Sequence, residues 1–167
     1  MPDKKVRKMV QAAMLAALVV AATMVIRIPS PTNGYVNLGD CFVLLSGWLL
    51  GPWYGAAAAG IGSMLTDLLS GYAYYAPFSL LVKGLDAFAA AKLYRAMKPR
   101  KGALLVSGIA GELLMAGGYF VCTALLLGKG LSAALSIPGN LVQGALGIAV
   151  GILLMGVSKR AKLTDKW

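Results

Sequence analysis

The chain has 167 residues, 59% of them hydrophobic and 21 of them glycine, with a mean hydropathy of +0.75. This balance excludes a soluble globular domain and fits an integral membrane protein; at roughly 20 apolar residues per span, the length admits about six spans and no soluble domain beyond short tails. The formal charge of +10 would suggest nucleic acid in a soluble protein, but no motif or aromatic pattern of a nucleic-acid reader accompanies it, so nucleic acid is excluded as a partner.

The placement of the charge is more informative than its sum. It falls in three clusters: Lys4, Lys5, Arg7 and Lys8; then Lys92, Arg95, Lys98, Arg100 and Lys101; then Lys159, Arg160, Lys162 and Lys166. The positive-inside rule puts all three on the cytoplasmic side, with both termini there and 13 basic residues inside against Arg27 and Lys129 outside. The expected fold class is an all-α membrane protein, a bundle of about six transmembrane helices forming a single domain over residues 1–167.

Taken in order, the first span is expected over 9–28. Ala12, Ala13, Ala16, Ala17 and Ala21 recur there at spacings of four and form a strip of small side chains, suited either to packing within the bundle or to docking a partner. The following stretch, Pro29-Ser30-Pro31-Thr32-Asn33-Gly34, cannot continue a helix and forms the first outside loop. The second span, over 38–50, is short for a membrane and turns at Gly51-Pro52 into the third, over 53–69. Trp48, Trp53 and Tyr54 bracket that turn as an interfacial belt would. The fourth span covers 78–97, the fifth 103–127 and the sixth 131–157, the last with a distortion expected at Pro138-Gly139.

Ionisable groups inside a membrane are costly and carry a functional hypothesis by default. This topology brings Asp40, Asp67, Lys83, Asn140 and Gln143 to one depth near the outer face, under loops bearing Asn37 and the tyrosines Tyr72, Tyr74 and Tyr75. The functional reading is an outward-open pocket in which polar groups orient a small molecule and aromatic rings stack on it. The structural alternative pairs Lys83 with Asp67 or with Asp86 at i+3, and makes Asp40 a helix start. Glu112, deeper in the fifth span, is a candidate for the pocket floor, for pairing with Lys83 or Lys92, or for carrying a proton.

The chain has no histidine, no phosphate-binding glycine loop and no nucleophile–base pair, so neither catalysis nor a metal or cofactor is expected. Cys41 and Cys122 read as small buried hydrophobes.

Several short stretches stand in an order that resembles the S component, the substrate-binding membrane subunit, of energy-coupling factor (ECF) transporters. They are the Ala-x-x-x-Ala steps of the first span, Gly34-Tyr35-Val36-Asn37-Leu38-Gly39-Asp40, Gly51-Pro52-Trp53-Tyr54-Gly55, Asp67-Leu68-Leu69-Ser70-Gly71-Tyr72 and Val82-Lys83-Gly84. The resemblance implies a vitamin-binding subunit in a prokaryotic cell membrane that works with a transmembrane coupling subunit and two cytoplasmic ATPases. It also implies that the alanine steps dock the coupling subunit and that the loop after the first span closes over the ligand. Lys83, Asp40, Asp67 and the tyrosines suit a small polar aromatic heterocycle: first a vitamin B6 compound, then riboflavin, a thiamin precursor or a queuosine precursor. From other classes, the composition also admits a membrane-assembly protein of the rod-shape-determining type, or a small autonomous carrier, which the lack of repeated halves disfavours.

Overall fold

A computed structural model describes residues 3–29 and 35–161. It contains six α-helices in chain order: α1 (Lys4–Val25), α2 (Asp40–Leu50), α3 (Pro52–Leu69), α4 (Ala76–Met97), α5 (Ala103–Val121) and α6 (Ile137–Arg160). Between α1 and α2, two three-residue strands, β1 (Arg27–Pro29) and β2 (Tyr35–Asn37), pair antiparallel with Ile28 opposite Val36. This ribbon was not expected. The helix ends at Val25 rather than running to residue 28 because Ile28 precedes Pro29, which disfavours helical backbone at the residue before it. The rest of the outside loop, residues 30–34, lies outside the described residues.

Three helices begin with proline in the first turn, Pro52 in α3, Pro77 in α4 and Pro138 in α6, where the missing N–H costs nothing. Pro138 therefore starts α6 instead of distorting it. The preceding residues Gly130–Ser136 form a 3-10 turn, and α5 continues through a π turn over Cys122–Leu126. Between α2 and α3 the chain reverses at Gly51, whose φ of 86° is open to glycine at no steric cost.

Helix α2 is the centre of the bundle. Nine of its eleven residues are buried, the pattern of a helix apolar on all sides, and α1, α3, α4 and α6 all pack on it. The outer helices follow one another as α1, α3, α4, α5 and α6. At about 1.5 Å per residue α2 measures roughly 17 Å, too short to cross the roughly 30 Å hydrocarbon layer by itself. By length and composition α1, the α5 segment to Leu125 and the α6 segment from Gly130 are long and apolar enough to cross. Helix α4 carries Lys83 and Asp86, and both are turned inward.

The outward faces are apolar, with Leu81, Leu85, Leu131 and Leu153 all more than half exposed, as expected where the solvent is lipid. Inside, the bundle is divided along its length. Toward the C-terminal end of α2, Leu44, Leu45, Trp48, Leu50, Ala90, Tyr94 and Met155 make a hydrophobic core. Trp48 is 4% exposed and its Nε1 donates to Ser107 Oγ at 3.1 Å, so it is a core residue and not part of an interfacial belt. A buried indole fits here because α5 supplies an acceptor for its N–H. Trp53, 76% exposed and edge-on to Phe88 at 5.1 Å, does face outward.

The alanine strip of α1 divides between two faces. Ala16 is buried and Ala12 packs on the core, whereas Ala13, Ala17 and Ala21 are exposed. A Cβ on Gly62 of α3 would lie 2.7 Å from the Ala16 carbonyl oxygen, so the two backbones nearly touch and Ala16 serves packing within the bundle.

Candidate ligand-binding site

At the other end of α2 the interior turns polar. Asp40, the first residue of α2, is 1% exposed. It does not cap the helix: the N-cap is Gly39 and no side chain bonds the free amides. The Asp40 carboxylate instead points into the bundle, where Oδ1 accepts from Lys83 Nζ of α4 and Oδ2 accepts from Gln143 Nε2 of α6 at 2.7 Å. Lys83 thus pairs with Asp40, and neither of the expected partners, Asp67 and Asp86, takes that role. The same-helix pair with Asp86 loses because Asp40 enters the bundle from the facing helix directly at the ammonium, with a second donor to satisfy its other oxygen.

The network continues to the ribbon. Gln143 Oε1 accepts from both the Asn37 backbone N–H at 3.0 Å and its Nδ2 at 3.1 Å, and Asn37 Oδ1 accepts from the Gly39 N–H at 2.8 Å. Asn37, one of the expected site residues, ties the end of the ribbon to α6. One chain of side chains, Asn37–Gln143–Asp40–Lys83, links the ribbon, α6, α2 and α4.

Two acids sit beside this network without sharing its donors. Asp86 is fully buried and Glu112 is 5% exposed; among the described residues no N–H or hydroxyl donor reaches either carboxyl group, and Glu112 meets only the carboxyl group of Asp40. Glu112 pairs with neither Lys83 nor Lys92, the latter lying over the Phe88 ring at 5.8 Å. Room for Asp40 and Glu112 comes from α6, and room for Asp86 comes from Gly111 of α5. A Cβ on Gly147 would lie 2.7 Å from Asp40 Cβ and 3.1 Å from Glu112 Oε1, and one on Gly144 would lie 2.9 Å from Glu112 Cβ. The two glycines, with Gln143, give α6 one face that accommodates carboxyl groups from α2 and α5.

Tyr119, which the sequence did not single out, completes the site. Its ring centroid lies 5.7 Å from Lys83 Nζ and its hydroxyl shares a 2.7 Å hydrogen bond with Ser79 Oγ. It stands on α5 seven residues after Glu112, and therefore on the same helix face. That spacing is the signal that could have found it.

The remaining candidates are Asn140, Asp67 and the three loop tyrosines. Asn140 is half-buried one turn before Gln143. Asp67 is buried at the end of α3, where its backbone carbonyl accepts from the Tyr72 N–H at 2.9 Å. In the α3–α4 loop the Tyr74 ring packs at a tilt against Tyr72 and Tyr75, with centroids 6.2 and 4.7 Å apart, and Tyr74 is 49% exposed. Among the described residues no group of three or more His, Cys, Asp or Glu is placed to hold a metal.

The family model of the ECF-type riboflavin transporter S component matches residues 3–160. An uncharacterised protein of Pyrococcus woesei is 34% identical over 134 residues, 80% of this chain and 88% of its own. The thiamine precursor transporter HmpT of Lactococcus lactis is 26% identical over 168 residues, 99% of this chain and 95% of its own. In fold the chain resembles a solved S component of a bacterial ECF transporter, with a TM-score of 0.77 at 21% identity over 94% of this chain and 98% of that one. A six-helix membrane bundle with a buried polar site at one end and a family match over almost its whole length belongs to the ECF-type riboflavin transporter S-component family.

Proposed function

We propose that the chain is the high-affinity substrate-binding subunit of a vitamin importer and that its ligand binds among Lys83, Asp40, Asp86, Glu112 and Tyr119. The observation that carries this reading is the pair of buried carboxyl groups, Asp86 and Glu112, that no donor of the described residues satisfies. Buried polar groups are almost always hydrogen-bonded, and an exception in a membrane interior calls for a partner. One cation among three carboxyl groups leaves the site rich in acceptors, which favours a ligand that brings N–H and O–H donors or positive charge.

The ligand is then a small nitrogen heterocycle. A precursor of thiamine comes first, because the Lactococcus relative aligned over 99% of this chain is named for that class. A vitamin B6 compound is second, and riboflavin and a queuosine precursor follow. Asn37 positions the ribbon over the site, Tyr72, Tyr74 and Tyr75 supply rings at its rim, and Asp67, Asn140 and Gln143 complete its polar edge. Both termini lie in the cytoplasm, the site opens outward, and the whole chain is one transmembrane domain. Import is driven by a transmembrane coupling subunit and two cytoplasmic ATPases, so the chain itself performs no hydrolysis.

Thermal unfolding of the purified protein with a panel of these vitamins tests the reading. A ligand at about 1,000 times its dissociation constant adds roughly 4 kcal/mol to stability, so one member of the panel should raise the midpoint by several degrees without ATP. No shift with any of them would abandon the proposal in favour of a membrane-assembly protein.

The split of the alanine strip gives a second test. Ala13→Trp and Ala17→Trp place bulk on the exposed face of α1 and should abolish uptake with the complete transporter while leaving vitamin binding within about twofold. Ala16→Trp would drive an indole into α3 at Gly62 and should lower both through misfolding. Normal uptake by both exposed-face variants would remove this face from the docking surface.

A further inference from the structure

At the basic end of the bundle, away from the ligand site, the α4–α5 turn and the end of α6 enclose a cleft of about 550 Å³. We propose that it seats the headgroup of an anionic phospholipid. Four cations line it, Lys98, Arg100 and Lys101 from the turn and Lys159 from α6, together with the apolar side chains of Leu105 and Ile152. None of the acids among the described residues, Asp3, Asp40, Asp67, Asp86 and Glu112, lines it. Four like charges around one concavity repel one another, and a bound anion relieves this.

The local backbone adds to the same potential. Helix α5 begins here from Gly102, with no capping side chain and no acidic residue in its first turn, so its positive end is left for a ligand. Lys98 is held over the Tyr94 ring at 4.6 Å from its centroid, which fixes one cation at the wall of the cleft.

The apolar wall distinguishes a lipid from a soluble anion. Leu105, 48% exposed, and the half-buried Ile152 continue from the cations onto the lipid-facing flank of the bundle. A phosphodiester among the cations would therefore have its acyl chains along that flank. A free phosphate compound would use the cations and leave this wall bare. Basic clefts between helices at the membrane surface are the usual seats of acidic headgroups. The orientation proposed above puts this one in the inner leaflet, although the chemistry of the cleft does not depend on that.

The test is native mass spectrometry of the full-length detergent-purified protein, titrated with phosphatidylglycerol or with phosphatidylcholine of the same acyl chains. Thermal unfolding is followed in parallel, with inorganic phosphate as the soluble arm. Phosphatidylglycerol should be retained at least about tenfold better, and each cation removed should weaken it about fivefold. The variant Arg100→Gln/Lys101→Gln/Lys159→Gln should bind the two lipids alike, while Lys4→Gln/Lys5→Gln/Arg7→Gln at the N-terminus should keep the preference. If the triple variant misfolds, the single variants Lys101→Gln and Lys159→Gln carry the same comparison. Equal retention of both lipids, or a preference untouched by the cleft substitutions, would overturn the proposal. So would a stabilisation by inorganic phosphate equal to that by the lipid.

Discussion

Lys83→Ala should lose vitamin binding by at least about 100-fold and destabilise the protein by about 3–5 kcal/mol, the range seen when one partner of a buried ion pair is removed. The loss has two separable sources. Without the ammonium, Asp40 Oδ1 faces the bundle interior with no donor, and only Gln143 still holds the other oxygen. That part is a folding defect, and neutralising Asp40 repairs it. The double variant Lys83→Met/Asp40→Asn should therefore unfold within about 1–2 kcal/mol of the parent, since replacing both members of a buried pair by uncharged groups is often neutral. It should still fail to bind the vitamin, because the cation beside Tyr119 and the two donor-free acids is gone. Unfolding midpoints and equilibrium binding on the three proteins separate the terms. Restored binding in the double variant would show the pair to be purely structural.

How much of this site was legible in the sequence follows from what spacing can and cannot carry. Apolar runs, prolines and the placement of positive charge are local signals, and they indicated the number and order of the helices, while α1 starts five residues before and α6 six residues after the expected position. The identity of a buried partner is not local. Lys83 and Asp86 stand at i+3, the arrangement that periodicity suggests for a pair, yet Asp40, 43 residues away in the chain, takes the lysine. What decides this is the central position of α2, which follows from its burial on all sides and from the facing glycines of α6. Sequence spacing could say that Gly144 and Gly147 are small, but not which side chains need the room. Trp48 was misplaced for a related reason. An indole near a helix end reads as interfacial until the acceptor on another helix, Ser107, is known. The ribbon was missed because its strands are three residues long, below the length at which alternation can be read.

The second large effect is opposite in sign for the two properties it touches. Glu112→Met, nearly isosteric, removes a buried carboxyl group that no donor of the described residues satisfies. The loss of that desolvation cost should leave the ligand-free protein as stable as the parent or more so by about 1–3 kcal/mol. Vitamin binding should weaken by about 10- to 100-fold, matching the roughly 1.5–3 kcal/mol of a hydrogen bond to a charged group. Asp86→Asn, which keeps shape and one acceptor oxygen, should weaken binding less, by about tenfold, with little change in stability. A structural acid gives the reverse pattern, with stability lost and binding retained by the molecules that still fold. Unfolding of the ligand-free proteins and titration with the vitamin therefore decide between a site that holds its carboxyl groups for a ligand and one that holds them for the fold. The opposed signs follow from the geometry, because Lys83 and Gln143 donate to Asp40 and, among the described residues, no donor reaches the other two acids. If the ligand supplies those donors, the membrane subunit is at its least stable when empty, and binding closes the same polar network that joins α2, α4 and α6 to the ribbon.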